Sequence, residues 1–262
     1  MNLSDFDLII INSSGGKDSL CAIFEVCRIA KEQNYPFNKI VVSHQDLGKM
    51  EWEGTKALTT RQAELFGLDI HFSKRRDKNG VEEDLLQYVK RRGMWPSNKQ
   101  RWCTSDFKRG PGARVVTSLT KESGNCNVLH VFGFRKVESP SRKKKVDFNV
   151  NKMLTTKKRK VFDWLPIHDW STERVWKTIK TNNLPYHNAY QLGMPRLSCV
   201  FCIFSPFEAL VVAGKSNPEL LDDYIKVEKE IGHSFRDGFS IASVKEAIEQ
   251  NQEIVPVKDW VM

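Results

Sequence analysis

The residues best suited to chemistry in this chain form a short glycine-rich loop near its start, reading Ser-Ser-Gly-Gly-Lys-Asp-Ser. Glycines allow a backbone to approach a phosphate closely, and a helix that follows directs unpaired amides and the positive end of its dipole at an anion. Serine hydroxyls can donate hydrogen bonds to phosphate oxygens, and a lysine adds positive charge. The predicted phosphate-binding residues are Ser13, Ser14, Gly15, Gly16, Lys17, Asp18 and Ser19.

This loop differs from the Walker A phosphate loop. The Walker A pattern requires a glycine five residues before the glycine of the Gly-Lys pair, and a serine or threonine directly after the lysine. Ile11 and Asp18 occupy those two positions here. The loop therefore belongs to another class of phosphate-binding turn.

Six cysteines form the second group of candidate residues, at positions 21, 27, 103, 126, 199 and 202. In a cytosolic chain of this size they do not predict a disulfide framework, which leaves metal ligands, reactive thiols or small core residues. Cys199 and Cys202 form a Cys-x-x-Cys pair, a pattern compatible with a zinc half-site, a redox pair or chance. Cys27 falls on the apolar stripe of a predicted helix, which predicts a core residue.

One segment carries the whole excess of positive charge. The formal net charge is +9, and residues 135–160 alone contain 11 Lys or Arg against two Asp or Glu. A polyanionic partner such as a nucleic acid is expected to bind this segment; the alternative is a solvated loop that keeps the protein in solution.

Composition and hydropathy favour a globular protein without a membrane segment. Of the 262 residues, 40% are hydrophobic, which is enough for a packed core. No apolar run approaches the roughly 18 to 20 residues of a transmembrane helix, and the N-terminus lacks a signal-peptide pattern. We therefore expect a cytoplasmic protein.

Predicted strands and helices alternate along the chain and position these residues. Short apolar runs predict buried strands, and apolar residues at helical spacing predict helices. The predicted strands are 7–12, 39–43, 68–72, 127–133 and 161–166, the last as a short strand or extended stretch. The predicted helices start near Lys17 and cover 53–66, 81–92, 171–180, 206–214, 217–232 and 240–250. This alternation indicates an α/β fold with a doubly wound, mostly parallel sheet.

The loop follows the first strand directly, which places it at the carboxyl edge where such sheets bind ligands. After Cys202 only helices are predicted. We therefore expect a nucleotide-binding domain over residues 1–205 and a C-terminal helical cap or appendage over residues 206–262.

Ser-Gly-Gly-Lys-Asp-Ser after a buried strand resembles the PP-loop of the ATP pyrophosphatases, which split ATP between its α and β phosphates or bind a related adenylyl nucleotide. Further motifs resemble one branch, the phosphoadenylyl-sulfate (PAPS) reductase-like proteins, in order along nearly the whole chain. These motifs are His44-Gln45-Asp46, Arg101-Trp102-Cys103-Thr104, Gly133-Phe134-Arg135 with Glu138 and Arg142, and the Cys-x-x-Cys pair. The resemblance implies an adenine nucleotide alpha-hydrolase-like fold that binds ATP, PAPS or adenylyl sulfate.

The same resemblance implies roles for individual residues. The implied nucleotide-binding residues outside the loop are His44, Asp46, Gly133, Arg135, Glu138 and Arg142, and the implied catalytic residues are Lys17, Asp18 and Cys103. An arginine can hold a phosphate or sulfate in a bidentate fork, which a lysine cannot do. Glu138 is expected to hold an arginine or bind Mg²⁺, with an exposed loop acid as the alternative.

Cluster-containing members of the branch hold a [4Fe-4S] cluster with four cysteines, two of them adjacent. Trp102 stands at the first adjacent position here, which leaves Cys103, Cys199 and Cys202 as the implied metal ligands. Three thiolates can hold a four-iron cluster with one iron open to bind sulfide. Zinc and free thiols are the alternatives.

Three functions are compatible with these patterns. The first is ATP-dependent adenylylation of an acceptor such as a nucleic acid, with release of pyrophosphate and sulfur transfer from a donor protein. The second is PAPS or adenylyl-sulfate reduction with an electron donor protein such as thioredoxin; the absence of a cysteine after Cys202 argues against it, because the reductases use a C-terminal nucleophilic cysteine. The third is a nucleotide-responsive nucleic-acid-binding protein without turnover.

Overall fold

A six-stranded sheet organises the fold in a computed structural model that describes residues 1–260. The strands are β1 (Leu8–Ser13), β2 (Ile40–Gln45), β3 (Asp69–Ser73), β4 (Cys126–Val131), β5 (Phe148–Val150) and β6 (Arg159–Trp164). Their order across the sheet is β3-β2-β1-β4-β6-β5. Every neighbouring pair is parallel except β5 and β6, which are antiparallel. The predicted α/β class with a mostly parallel sheet is therefore confirmed.

The sheet is covered on both faces. Ile9 and Ile11 belong to one apolar cluster with Ile23 and Val26, whereas Ile10 belongs to a second cluster with Val116. Successive side chains of a strand point to opposite faces, so two clusters on one strand require two apolar layers. This explains why β1 reads as a continuous apolar run.

The helices are α1 (Lys17–Glu32), α2 (Thr55–Glu64), α3 (Leu85–Arg92), α4 (Trp102–Thr104), α5 (Gly110–Leu119), α6 (Pro140–Lys143), α7 (Thr172–Thr181), α8 (Phe207–Ser216), α9 (Pro218–Ile231) and α10 (Ala242–Glu249). A π-helical turn, Ser105–Arg109, joins α4 to α5. Three helices therefore follow Cys202, as predicted. None of the helices between residues 1 and 260 combines the length and apolar character needed to cross a membrane.

The chain divides into two compact units. The first comprises residues 1–46, 54–73 and 111–187 and contains the sheet; the second comprises residues 47–53, 74–110 and 188–262. The second unit has its own apolar core, in which Trp95 stacks on Tyr224 and meets the edge of Phe235. The sequence predicted a domain over residues 1–205 and an appendage over residues 206–262. The two compact units have different boundaries, and the domain division stays a prediction.

The structure corrects the predicted helix over residues 81–92, which begins at Leu85. Asp84 caps it, because its carboxylate accepts a hydrogen bond from the amide of Gln87 while the Gln87 side chain accepts one from the amide of Asp84. The residues before it form a turn in which Asp77 accepts hydrogen bonds from the amides of Asn79 and Val81. Local side-chain hydrogen bonds of this kind compete with helix formation.

Further elements were missing from the sequence prediction, among them the four-residue α6. Residues 102–119 are helical, although Gly110, Pro111 and Gly112 lower helix propensity there. β5 is a three-residue edge strand whose residues are all exposed, so it has no buried apolar pattern to reveal it. The helical residues 102–119 and the strand β5 both depend on tertiary contacts, which intrinsic secondary-structure propensity does not include.

Candidate nucleotide-binding site

The glycine-rich loop lies at the point where the order of the sheet reverses. β1 pairs with β2 on one side and β4 on the other, so successive strands leave β1 in opposite directions. Ligands of doubly wound sheets bind in the crevice beyond the carboxyl ends of the strands at such a switch point. The loop follows β1, and Gly133 and Arg135 follow β4. Two of the predicted motifs therefore meet at this edge.

Hydrogen bonds within the loop fix its shape. The Ser13 hydroxyl accepts from the amide of Gly15 at 3.2 Å, and the Ser19 hydroxyl accepts from the amide of Ser14 at 3.3 Å. Ser19 also donates to the carbonyl of Gly16 at 2.9 Å. The hydroxyls of Ser13 and Ser19 thus hold the backbone of the turn, whereas Ser14 is exposed. Gly15 adopts a positive φ of 73°, which favours glycine.

The first turn of α1 has the features that the sequence predicted for an anion site. Gly16 is the N-cap residue and provides no side-chain cap. Lys17 and Asp18 follow it, with the Lys17 ammonium 3.4 Å from the Asp18 carboxylate. Lys17 is only 2% exposed, and a charge in such surroundings acts more strongly than one in water. A phosphate at this helix terminus would meet backbone amides, the helix dipole and one buried cation.

Arg135 links the end of β4 to this turn. Its Nε donates to Asp18 at 2.6 Å, and its Nη1 lies 3.3 Å from the Trp170 carbonyl and 3.2 Å from the Thr172 hydroxyl. The side chain is 1% exposed. Arg135 was predicted to bind a phosphate or sulfate through its guanidinium group. In the structure this group forms hydrogen bonds within the protein, and its Nε binds Asp18.

Gly133 is required by the close approach of two backbones. A Cβ atom at this position would lie 2.7 Å from the Asp18 carbonyl oxygen and 2.9 Å from the Ser19 amide nitrogen. Both are backbone atoms of α1 and cannot rotate away. The glycine predicted from the Gly-x-Arg pattern therefore allows β4 to end directly against the first turn of α1.

Glu138 holds two arginines. Its carboxylate accepts from the Arg135 amide at 2.8 Å and forms an ion pair with the Arg142 guanidinium. Arg142 is partly exposed and lies over the Phe134 ring, 4.5 Å from its centroid. Of the roles considered for Glu138, the geometry favours holding an arginine over binding Mg²⁺. Arg142 is thereby placed beside the switch point with part of its surface open.

His44 and Asp46 lie at the carboxyl end of β2. His44 is fully buried, and its Nδ1 lies 2.9 Å from the Ser13 carbonyl at the start of the loop. Asp46 is 7% exposed and pairs with the Lys56 ammonium at 3.2 Å. His44 therefore positions the loop backbone, and direct contact of either residue with a nucleotide stays a prediction.

Sequence patterns did not indicate Gln62, which anchors the loop from α2. Its side-chain amide donates to the carbonyl of Gly15 at 3.3 Å and to that of Pro185 at 2.9 Å, and the residue is fully buried. A glutamine within a helix carries no local signal of such a role. Only the tertiary arrangement reveals it.

The second unit contains the cysteines predicted to hold metal. Cys103, Cys199 and Cys202 are each partly exposed, and burial is the largest cause raising the pKa of each thiol. The Cys199 thiolate is the largest cause raising the pKa of Lys108. The three thiols thus lie close enough to one another and to this ammonium to interact electrostatically.

These cysteines do not form a metal-binding arrangement. Among residues 1–260, no three His, Cys, Asp or Glu side chains are grouped so as to hold a metal ion. All six cysteines are free thiols in the structure. We therefore assign no chemical step to a metal, and the metal ligands, for zinc or a [4Fe-4S] cluster, stay a prediction.

Comparison with known proteins places these motifs in one family. The sequence profile of the phosphoadenosine phosphosulfate reductase domain matches residues 8–204. That range contains the loop, the Gly-x-Arg stretch and the Cys-x-x-Cys pair. The resemblance identified from the motifs is therefore confirmed.

Relatives in other organisms are distant. The uncharacterized protein MJ0066 of Methanocaldococcus jannaschii is 26% identical over 233 residues, which are 88% of this chain and 44% of that protein. An adenosine 5'-phosphosulfate reductase of Staphylococcus haemolyticus is 24% identical over 203 residues, covering 78% of this chain and 73% of the relative. The chain spans about half the length of the first archaeal relatives that it matches.

A solved structure supports the fold. The phosphoadenylyl-sulfate reductase of Candida auris, determined as a phosphate complex, superposes with a TM-score of 0.52 and 17% sequence identity. The match covers 75% of this chain and 83% of that one. At this identity the similarity establishes a shared fold and leaves the reaction to be argued from the site.

Proposed function

Because the chain belongs to the phosphoadenosine phosphosulfate reductase domain family, we propose that the loop over residues 13–19 binds ATP or a related adenylyl nucleotide. The observation that carries this proposal is the meeting of the loop with the end of β4. There the buried Lys17 stands at an uncapped helix N-terminus, and Gly133 brings a second backbone against it. Phosphate oxygens would bind to the amides of this turn, with the Lys17 ammonium beside them.

The reaction that we propose is adenylylation followed by sulfur transfer. An acceptor oxygen attacks the α phosphate of ATP, the bond to the bridging oxygen breaks, and pyrophosphate leaves with its electron pair. Hydrosulfide then attacks the activated carbon of the acceptor, and AMP leaves with the oxygen. Lys17 and the loop amides would stabilise the charge that develops on the leaving pyrophosphate. Mg²⁺ bound to the phosphates would assist this step.

Binding of α,β-methylene-ATP with Mg²⁺, measured by calorimetry, tests the nucleotide site without knowledge of the acceptor. We expect Lys17→Met to weaken binding by about tenfold or more, because a buried charge-assisted contact typically contributes about 1.5 to 3 kcal/mol. The matched control is Lys39→Met, which removes an exposed lysine of the same unit and should leave binding unchanged. No binding by the unaltered protein, or equal binding by both variants, would refute the nucleotide site.

Sulfonucleotide reduction is the second candidate, favoured by the family match and by the similarity to adenosine 5'-phosphosulfate reductases. In that reaction a thiolate attacks the sulfur of adenylyl sulfate or PAPS, the nucleotide leaves with the bridging oxygen, and an S-sulfocysteine remains. A thiol of a donor protein then attacks this cysteine, which releases sulfite and forms a disulfide. Cys103, Cys199 and Cys202, which are partly exposed residues with free thiols, are the candidate nucleophiles. Release of sulfite from either sulfonucleotide in the presence of thioredoxin would establish this reaction in place of adenylylation.

A further inference from the structure

In the basic segment, residues 135–160, the arginines bind other groups of the protein, whereas most of the lysines are exposed. Arg135 and Arg142 are bonded to Asp18 and Glu138 as described above. Arg159 donates to the carbonyl of Leu154 and to the hydroxyls of Thr117 and Thr120. The guanidinium groups of residues 135–160 are therefore engaged with the protein.

The lysines of the segment behave differently. Lys136 pairs with Asp169. The other seven are exposed, and none of their ammonium groups forms an ion pair within residues 1–260. These seven are Lys143, Lys144, Lys145, Lys152, Lys157, Lys158 and Lys160. The same segment exposes one carboxylate, that of Asp147, against these seven ammonium groups, so together they form a net positive surface, which we call the lysine surface.

The lysine surface lies on defined secondary-structure elements. It begins at Lys143, the last residue of α6, flanks the edge strand β5 along the chain and continues through residues 151–158 into β6. Asn151 fixes the turn, because its Oδ1 accepts from the amides of Met153 and Leu154 while its Nδ2 donates to Asp163 at 3.0 Å. The lysines therefore lie on an ordered part of the chain at the edge of the sheet.

Apolar side chains lie among these lysines. Phe148 is 37% exposed and stacks on Phe162, with ring centroids 5.5 Å apart and an interplanar angle of 4°. Val146, Val150 and Met153 are also exposed. An exposed aromatic ring and exposed cations within one segment are the combination that binds single-stranded nucleic acids, whose bases stack on aromatic rings while their phosphates bind cations.

We propose that the lysine surface binds single-stranded nucleic acid. Lysine supplies point charges and lacks the fork with which arginine recognises guanine, so the contacts would go to phosphates and would be largely independent of sequence. The bases of a duplex are stacked within the helix, so Phe148 favours a single strand. This inference goes beyond the proposed reaction, because binding here requires neither nucleotide nor turnover.

The test compares variants by fluorescence anisotropy with a labelled 20-nucleotide oligo-dT over a range of salt concentrations. In K143Q/K144Q/K145Q, we expect the slope of log K against log salt to fall by roughly 2, since each phosphate contact on a single strand contributes about 0.7. Affinity at roughly 0.1 M salt should fall by about a hundredfold, since a slope change of about 2 acts over one decade of salt below 1 M. The matched control is K31Q/K177Q/K180Q, which removes three exposed lysines of the same unit and should keep the slope.

A second variant tests the contribution of base stacking. Phe148→Ala should lower affinity by about fivefold, near the lower end of what one stacked base contributes, and should leave the salt slope unchanged. Thermal melting confirms that each variant is folded, and Phe148→Leu replaces it if the alanine variant is not. Oligo-rU should bind comparably, because the contacts are to phosphates and ring faces.

Several results would overturn the inference. One is no binding of oligo-dT or oligo-rU at about 50 mM salt, where phosphate contacts are strong. Another is an equal loss in both triple variants. Preferential binding of a 20-base-pair duplex, or of vesicles of phosphatidylserine and phosphatidylcholine, would assign the lysine surface to a different partner. Nucleotide binding is measured on the same preparations. Its result shows whether the nucleic-acid inference fails alone or together with the proposed function.

Discussion

Arg135 carries a permanent charge at a position where solvent reaches 1% of its surface. A buried guanidinium is tolerated only when an opposite charge and hydrogen bonds replace its hydration. Asp18 provides the charge, and the Trp170 carbonyl and the Thr172 hydroxyl provide hydrogen bonds. Since Asp18 belongs to the first turn of α1, Arg135 positions that turn for its ligand.

The first prediction follows from the planar fork of this side chain. We expect Arg135→Lys to lower the free energy of unfolding by about 2 to 3 kcal/mol, because an ammonium group keeps the charge and leaves buried partners unsatisfied. Urea unfolding measures the change. Arg142→Lys is the control; Arg142 is partly exposed, so its substitution should cost less than about 1 kcal/mol. Equal losses in the two variants would show that Arg135 has no special structural role.

At the scale of elements, the site depends on how closely the end of β4 approaches α1. The register pairs Ile11 of β1 with Val131, the last residue of β4, while β1 continues two residues further, to Ser13. Asn12 reinforces this end, since its side chain donates to the Val131 carbonyl at 3.1 Å. Gly133 then passes directly against the backbone of Asp18. The site is thus assembled from two strand ends and one helix terminus.

Gly133→Ala tests this approach. The added methyl would lie 2.7 Å from a backbone carbonyl oxygen, so β4 and α1 must move apart. We expect a loss of about 1 to 3 kcal/mol in unfolding free energy and weaker binding of α,β-methylene-ATP. Gly124→Ala is the matched control, because no atom lies within 4 Å of its added methyl. Unaltered nucleotide binding by the Gly133 variant would contradict the proposed close approach.

At the scale of the whole molecule, each candidate site lies within one compact unit. The loop, His44, Asp46 and the Gly-x-Arg stretch belong to the unit that contains the sheet. Cys103, Lys108, Cys199 and Cys202 belong to the other. Each unit is formed by segments that are distant in sequence. A motif's position along the chain therefore does not indicate which unit contains it.

The buried thiols predict how stability of the whole molecule depends on pH. Burial raises the pKa of Cys21 and of Cys27 from 9.0 to about 12. Unfolded thiols therefore lose protons near pH 9, while folded ones keep them until about pH 12. In that window the unfolded state binds fewer protons, so the free energy of unfolding falls as pH rises. The contribution is at most about 1.4 kcal/mol per pH unit for each thiol.

Urea unfolding from about pH 8 to 11 measures this dependence. We expect Cys27→Ala to make the decline with pH less steep, since one titrating group is removed. Val26→Ala is the control at the neighbouring buried position of α1 and should lower stability without changing the slope. If both variants kept the slope of the unaltered protein, the Cys27 thiol would not contribute to the alkaline loss of stability.

Much of the fold was evident in the sequence because its signals are local. Continuous apolar runs revealed β1, β2 and β4, and the glycine-rich turn between β1 and α1 revealed the loop. The C-terminal helices were found from their apolar spacing. β5 and the helices over residues 102–119 were missed, because neither an exposed edge strand nor a glycine-containing helix has a strong local pattern.

The sequence by itself determined the family, the α/β class with a mostly parallel sheet, and the position of the predicted phosphate-binding loop, since these depend on residues close together along the chain. Only the tertiary structure decided which basic residues are inside and which are outside. Arg135 and Lys144 lie in one basic segment, yet Arg135 is buried against Asp18, 117 positions away, and Lys144 is exposed. Burial of that kind depends on strand order and on contacts between distant segments, which local composition does not encode.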